Sequence, residues 1–158
     1  MAYADIVIKL GPAAGEVARI AQAAASGRPV LVLPAGASGA IGSHVLLAWR
    51  ESPGAWRALA AATPFLKAAE TLWVVQTAPD PTAFAARDDA LEDYLRGHGL
   101  VPVMVRRCAA SASRAVLETA DACGADLLVM DLDLWRELAT TPRHKSKRSR
   151  RSAALIAA

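Results

Sequence analysis

Two rhythms of apolar residues alternate along this chain. Short runs rich in branched residues, at Ile6 to Ile8, Val30 to Leu33, His44 to Trp49, Leu72 to Val75, Val101 to Val105 and Leu127 to Met130, have the length of strands. Between them, apolar positions recur at helical spacing. Val17, Ile20, Ala21 and Ala24 mark one face over Glu16 to Ala25, and Leu59, Ala62, Leu66 and Ala69 mark another over Ala55 to Ala69. Leu91, Tyr94 and Leu95 do so over Phe84 to Arg96, and Val116, Leu117 and Ala120 over Ser113 to Cys123. The run Val30 to Leu33 has no polar face, which predicts cover on both sides, and Pro29 and Pro34 limit pairing at its ends.

The order is β-α-β, a linker, then β-α-β-α-β-α-β. It predicts an α/β fold, an open, mostly parallel twisted sheet with right-handed crossovers and helices on both faces. Ala35 to Ser43 is linker by composition, and residues 37–43 divide a short unit, 1–36, from a main domain, 44–141. Its glycines are spaced by three, but no lysine follows them, so a phosphate-binding P-loop is not supported. Pro64 falls inside a helical pattern and predicts a kink, at about 3 kcal/mol if uncompensated. Ligands of such sheets bind beyond the carboxyl ends of strands where strand order reverses, here the turns after Trp49, Val75 and Met130.

Tyr3-Ala4-Asp5-Ile6-Val7-Ile8 is echoed by Gly124-Ala125-Asp126-Leu127-Leu128-Val129-Met130. The echo suggests a chain that begins inside one α/β unit and stops inside a second. After Met130, Leu132, Trp135 and Leu138 give a brief helical suggestion over Asp131 to Thr141, followed by Pro142 and a basic run. Ala153 to Ala158 is short for a fifth strand of the second unit, so residues 142–158 read as a disordered basic tail and as a truncated or frame-shifted end.

Charge divides along the same line. Residues 1–142 carry 12 Lys+Arg against all 15 Asp+Glu, net −3, while Arg143 to Arg151 holds the other 6 of 18 Lys+Arg. The tail alone therefore makes the chain basic, and it admits weak, salt-sensitive contact with nucleic acid or another anionic surface. No stretch approaches the roughly 20 apolar residues of a membrane span, and no leader precedes Ile6, so a cytoplasmic protein is expected. Cys108 and Cys123 lack the paired spacing of a zinc site and read as reduced thiols.

The catalytic inventory is thin. His44, His98 and His144 lie in linker, cap and tail contexts, and Ser52 lacks the glycine elbow of a hydrolase nucleophile. Asp88, Asp89, Glu92 and Asp93 read as a solvated helix face without convergent metal ligands. Nucleophile, base and orienter do not come together, so no enzyme and no metal are expected.

The segments YADIVI to SGRPVLVLPAG, then HVLLAWRESPGAWRALAAATPFLKAAETLWVV with its helix proline, then ETADACGADLLVMD, resemble the universal stress protein family, in particular its tandem two-domain members. The resemblance covers about three-quarters of the chain and makes it the end of a first repeat joined to four strands of a second. It implies a Rossmann-like fold, a stress-linked role, homodimers joined through last strands, and in many members ATP. The family pocket uses an acidic residue after its first strand and a loop of pattern G-x2-G-x9-G-[ST] after its fourth. By alignment the acidic position falls on Arg50 and the first loop glycine on Asp131, and no glycine follows Gly124. Ala48, Trp49, Thr77 and Met130 would surround an adenine, with Trp49 stacking on the base or simply packing as a strand-end aromatic. The resulting expectation is a non-enzymatic, stress-related or regulatory homodimer with a degenerate nucleotide site and no cofactor. An ATP-binding stress protein is the alternative, and tethering by the basic tail a further one.

Overall fold

The computed structural model describes residues 6–9, 15–36, 39–109, 111–141 and 152–158. Twelve elements follow in the order β1 (Ile6–Lys9), α1 (Glu16–Ala25), β2 (Val30–Leu33), β3 (His44–Trp49), α2 (Pro53–Ala68), β4 (Thr71–Thr77), α3 (Ala83–Gly97), β5 (Met104–Cys108), α4 (Ala112–Cys123), β6 (Leu127–Asp131), α5 (Leu132–Thr140) and β7 (Ala153–Ala157). They build one seven-stranded sheet in the order β1-β2-β7-β6-β3-β4-β5. Every neighbouring pair is parallel except β2 with β7.

Two apolar layers cover the sheet. On one side, α1, α4 and α5 bury Ile20, Val116, Ala120, Leu134 and Leu138 against Leu46, Val75, Met130 and Ile156. On the other, α2 and α3 bury Leu59, Leu66, Leu91 and Leu95 against Val45, Leu47, Val129 and Leu155. Central strands buried on both faces need no polar alternation, which is why Val45 to Trp49, Leu127 to Met130 and Ala153 to Ala157 read as unbroken apolar runs.

Sequence expectation and structure part at several places. The end of the chain is the largest. Ala153–Ala157 is a strand, fully buried, parallel to β6 and antiparallel to β2. It is short, yet both its edges are paired, and its small and aliphatic side chains fit between two helix layers. The preceding basic segment, with Arg143 and His144, lies outside the described residues. Strand β6 lies beside β3, and β1 and β2 extend the sheet through β7. The last strand therefore has no free edge through which two copies could join.

Smaller differences have local causes. The strand expected at Val101 to Val105 runs instead from Met104 to Cys108 and includes Arg106 and Arg107. Pro102 has no N–H to give a ladder, and an edge strand tolerates arginines. Val17, expected inward, is exposed; the buried stripe of α1 consists of Ile20 and Ala24, beginning a turn later. Helix α2 runs through Pro64 without a break in assignment.

Asp126 supplies a role for the echoed acidic residue. Its carboxylate accepts the main-chain N–H groups of Gly42 (3.0 Å), Ser43 (3.1 Å) and His44 (3.2 Å), tying the linker's end to the start of β6. The matching Asp5 lies outside the described residues.

Candidate functional site

From β3, the chain reaches β4 and β5 on one side and β6 and β7 on the other. The reversal point lies between β3 and β6, so a ligand crevice is expected at their carboxyl ends, beyond Trp49 and Asp131. Two helices start there. Ser52 caps α2 with its Oγ accepting from Ala55 N–H at 3.0 Å, and Pro53 fills the first helical position, where no N–H is needed. Asp131 caps α5 with Oδ1 accepting from Leu134 N–H at 2.8 Å.

The caps are joined. Ser52 Oγ donates to Asp131 Oδ2 at 2.8 Å, so one carboxylate serves both helix starts. Arg50 reaches the same group, with Nη2 3.7 Å from Asp131 Oδ1, and donates from Nη1 to Glu137 Oε1 at 2.6 Å. Burial pulls the Arg50 pKa down, but its hydrogen bond to Glu137 and the charges of Asp131, Glu137 and Asp133 outweigh it and hold the guanidinium above its ordinary value. Helix starts carry partial positive charge and attract anions. In this crevice that attraction is met by a side chain of the protein itself.

The six residues suggested by sequence divide between the two apolar layers and the crevice. Ala48 and Met130 are buried in the α1/α4/α5 layer. Trp49 is buried in the opposite layer, its ring edge-on to Trp56 at 4.7 Å and 82°; Trp56 in turn meets Tyr94 at 5.8 Å. Thr77 is buried and donates its hydroxyl to the Trp49 carbonyl at 3.2 Å. Arg50 and Asp131 meet as an ion pair, and of the two the Arg50 side chain is the more accessible, 26% against 6% exposed.

Ser52 and Glu137 belong to the cluster and were missed as site residues. Ser52-Pro53 before an apolar helix is a capping signal, legible without any catalytic role. Glu137 lies six residues beyond Asp131 in α5, and nothing in its surroundings along the chain singles it out.

The remaining candidates that are described make local contacts. His44 Nδ1 pairs with Thr71 Oγ1 at 2.8 Å, and the His98 ring stacks on Tyr94 at 4.1 Å. Glu92 and Asp93 pair with Arg96, while the Asp88 and Asp89 side chains lie outside those described. Among the described residues no group of three or more His, Cys, Asp or Glu could hold a metal ion. No helix among them is long and apolar enough to cross a membrane. Neither cysteine is in a disulfide, and burial pushes the Cys123 thiol up.

Asp131→Ala removes a buried cap, the acceptor of Ser52 and a partner of Arg50. We expect a loss of about 2 kcal/mol in urea unfolding, the upper range for a cap because a second hydroxyl also loses its acceptor. Asp131→Asn, which keeps an oxygen for Leu134 N–H, should lose less.

A doubly wound α/β domain whose reversal crevice is bridged by its own ion pair is thus the class that fold and site define. No family model and no curated protein matches the chain. Solved structures do. A universal stress protein from Archaeoglobus fulgidus matches with a TM-score of 0.60 at 17% identity, over 82% of this chain and 49% of that one. A protein described as a universal stress protein from Pseudomonas aeruginosa UCBPP-PA14 matches with 0.63 at 14%, over 96% and 62%. A protein of unknown function from Pseudomonas aeruginosa PAO1 matches with 0.62 at 13%, over 96% and 62%. The chain has the universal-stress-protein fold, and it spans about half to three-fifths of the length of these proteins.

Proposed function

We propose that this chain is a non-enzymatic, stress-related or regulatory domain of universal-stress-protein type whose nucleotide site is degenerate. The observation that carries the reading is the carboxylate of Asp131. It accepts from the first turn of α5 and from the cap of α2, and it lies 3.7 Å from a guanidinium nitrogen of Arg50. A triphosphate approaching these helix starts would meet that fixed negative charge instead of free amides. The base side of the crevice supports the same reading, because Ala48, Trp49, Thr77 and Met130 are packed into the two layers. The tandem origin suggested by the echoed phrase fits a first-repeat remnant, β1-α1-β2, lying beside the main unit.

Titration calorimetry with magnesium ATP tests this. The expected trace is flat, with no saturable heat at micromolar concentrations. Saturable micromolar binding, accompanied by a rise in Tm, would overturn the reading. One observation favours the alternative of ATP binding: Arg50 is partly exposed at the crevice and could exchange Glu137 for a phosphate. On that alternative, Arg50→Ala would abolish the heat and Glu137→Gln would increase it.

A further inference from the structure

Between α3 and the strands β4 and β5 lies a groove of about 470 Å³, within the size range of small-molecule sites. Val74, Leu91, Leu95, Leu100 and Val105 make most of its wall apolar. None of Arg50, Ser52, Asp131 and Glu137 lines it, so it is separate from the crevice at the helix starts.

One end of the groove is polar. Gln76 and Arg107 stand opposite each other in the parallel β4–β5 ladder, each one residue from the end of its strand, so their side chains share a face. Arg107 Nε donates to Gln76 Oε1 at 3.0 Å, and both residues line the groove. That bond fixes the amide, because only its oxygen can accept from a guanidinium. Gln76 is 7% exposed, and among the described residues its amide nitrogen meets no acceptor. Buried polar groups are rarely left unmatched, and at a groove wall a ligand can supply the missing partner. Arg107 carries five N–H donors, so the bond to Gln76 leaves the guanidinium able to serve a further acceptor. Arg96 also lines the groove, but Glu92 and Asp93 offset its charge at 2.6 Å and 2.9 Å. Leu100, between α3 and β5, lies toward the amino ends of the strands, so the groove runs from a polar end to an apolar one.

We propose that this groove binds a small amphipathic monocarboxylate. Its carboxylate accepts from the Gln76 amide and the Arg107 guanidinium, and its hydrocarbon body lies along Val74, Leu91, Leu95 and Leu100. The two oxygens match two donors, and the negative charge matches the guanidinium. A cation would face Arg107, and a purely apolar molecule would leave the Gln76 donor unmet. The inference does not rest on the nucleotide reading, whose residues lie elsewhere.

Titration calorimetry of the whole chain with octanoate and with octanol tests it. Octanoate should bind saturably, with a Kd below about 1 mM, and octanol about tenfold more weakly or worse, since it brings no charge and one oxygen fewer. Gln76→Leu should weaken octanoate about tenfold and leave octanol within a few-fold. Val105→Glu, at a position 48% exposed where folding tolerates a charge, puts a like charge in the wall and should weaken octanoate about tenfold or more. If Gln76→Leu does not fold, Val105→Glu carries the test. No saturable heat with octanoate would overturn the proposal. So would octanol binding as tightly as octanoate, or octanoate binding that the folded variants leave unchanged, which marks adsorption elsewhere on the surface.

Discussion

Leu155→Ala should cost about 2–5 kcal/mol in urea unfolding, a large part of the roughly 5–15 kcal/mol that holds a domain together. Leu155 lies in the middle of β7, is fully buried, and stands opposite Leu31 of β2 and Val129 of β6. It packs in the layer with Val45, Leu47, Leu59 and Leu66. Truncation leaves a void that a tightly flanked central strand cannot collapse around, so the upper half of the range is expected. Leu155→Asp should yield no soluble folded protein, because an unpaired carboxylate there has neither water nor a counter-charge. A Leu155→Ala loss below about 1 kcal/mol would show that β7 is not seated in the core.

Gly54→Ala should destabilise the protein, although the same change in an ordinary helix position stabilises by about 1 kcal/mol. Gly54 is the second residue of α2 and is buried. A Cβ there would stand 2.8 Å from the Ala157 carbonyl oxygen and 2.8 Å from the carbonyl carbon of Ala158, both main-chain atoms. Arg57, one turn further along α2, donates to the Ala158 carbonyl and holds the same end of β7 in place. Something must shift, and either the helix start or the strand end moves. The clash should exceed the propensity gain and leave a net loss of about 1–3 kcal/mol, with Gly54→Val beyond that range. Gly97→Ala is the control: a Cβ there meets nothing within 4 Å, so a small gain is expected. Equal melting shifts for the two alanine variants would show that the α2–β7 approach is looser than described.

Much of the architecture is legible in the chain because most elements repeat their buried positions at a clear period. Ile20 and Ala24, Leu59, Ala62 and Leu66, and Leu91 and Leu95 are all read correctly as inward. β7 is not legible. Ala153–Ala157 has no alternation, few branched residues and a dense basic run before it, and its stability comes from two neighbours distant in sequence. β5 misleads in the opposite way. The apolar run Val101 to Val105 resembles a covered strand, but the ladder takes in the two arginines and leaves the valines exposed. At the site, Arg50 and Asp131 stand out as charged residues where the resembled family has a carboxylate and a glycine. That they pair with each other is a three-dimensional fact. Ser52 and Glu137 complete the cluster through contacts that span 79 and 87 residues, beyond any local signal.

The antiparallel seam between β2 and β7 has a consequence for biosynthesis. Val30 to Val32 leave the ribosome well before their partners, for Ala154 to Ile156 emerge more than a hundred residues later. Until then the nascent chain carries two bare edges, one on β2 and one on β6. Such distant pairing makes folding slow and leaves the half-made sheet a natural client for chaperones. The order of synthesis and the order of strands in the sheet thus run against each other, and the piece that joins the halves arrives after both.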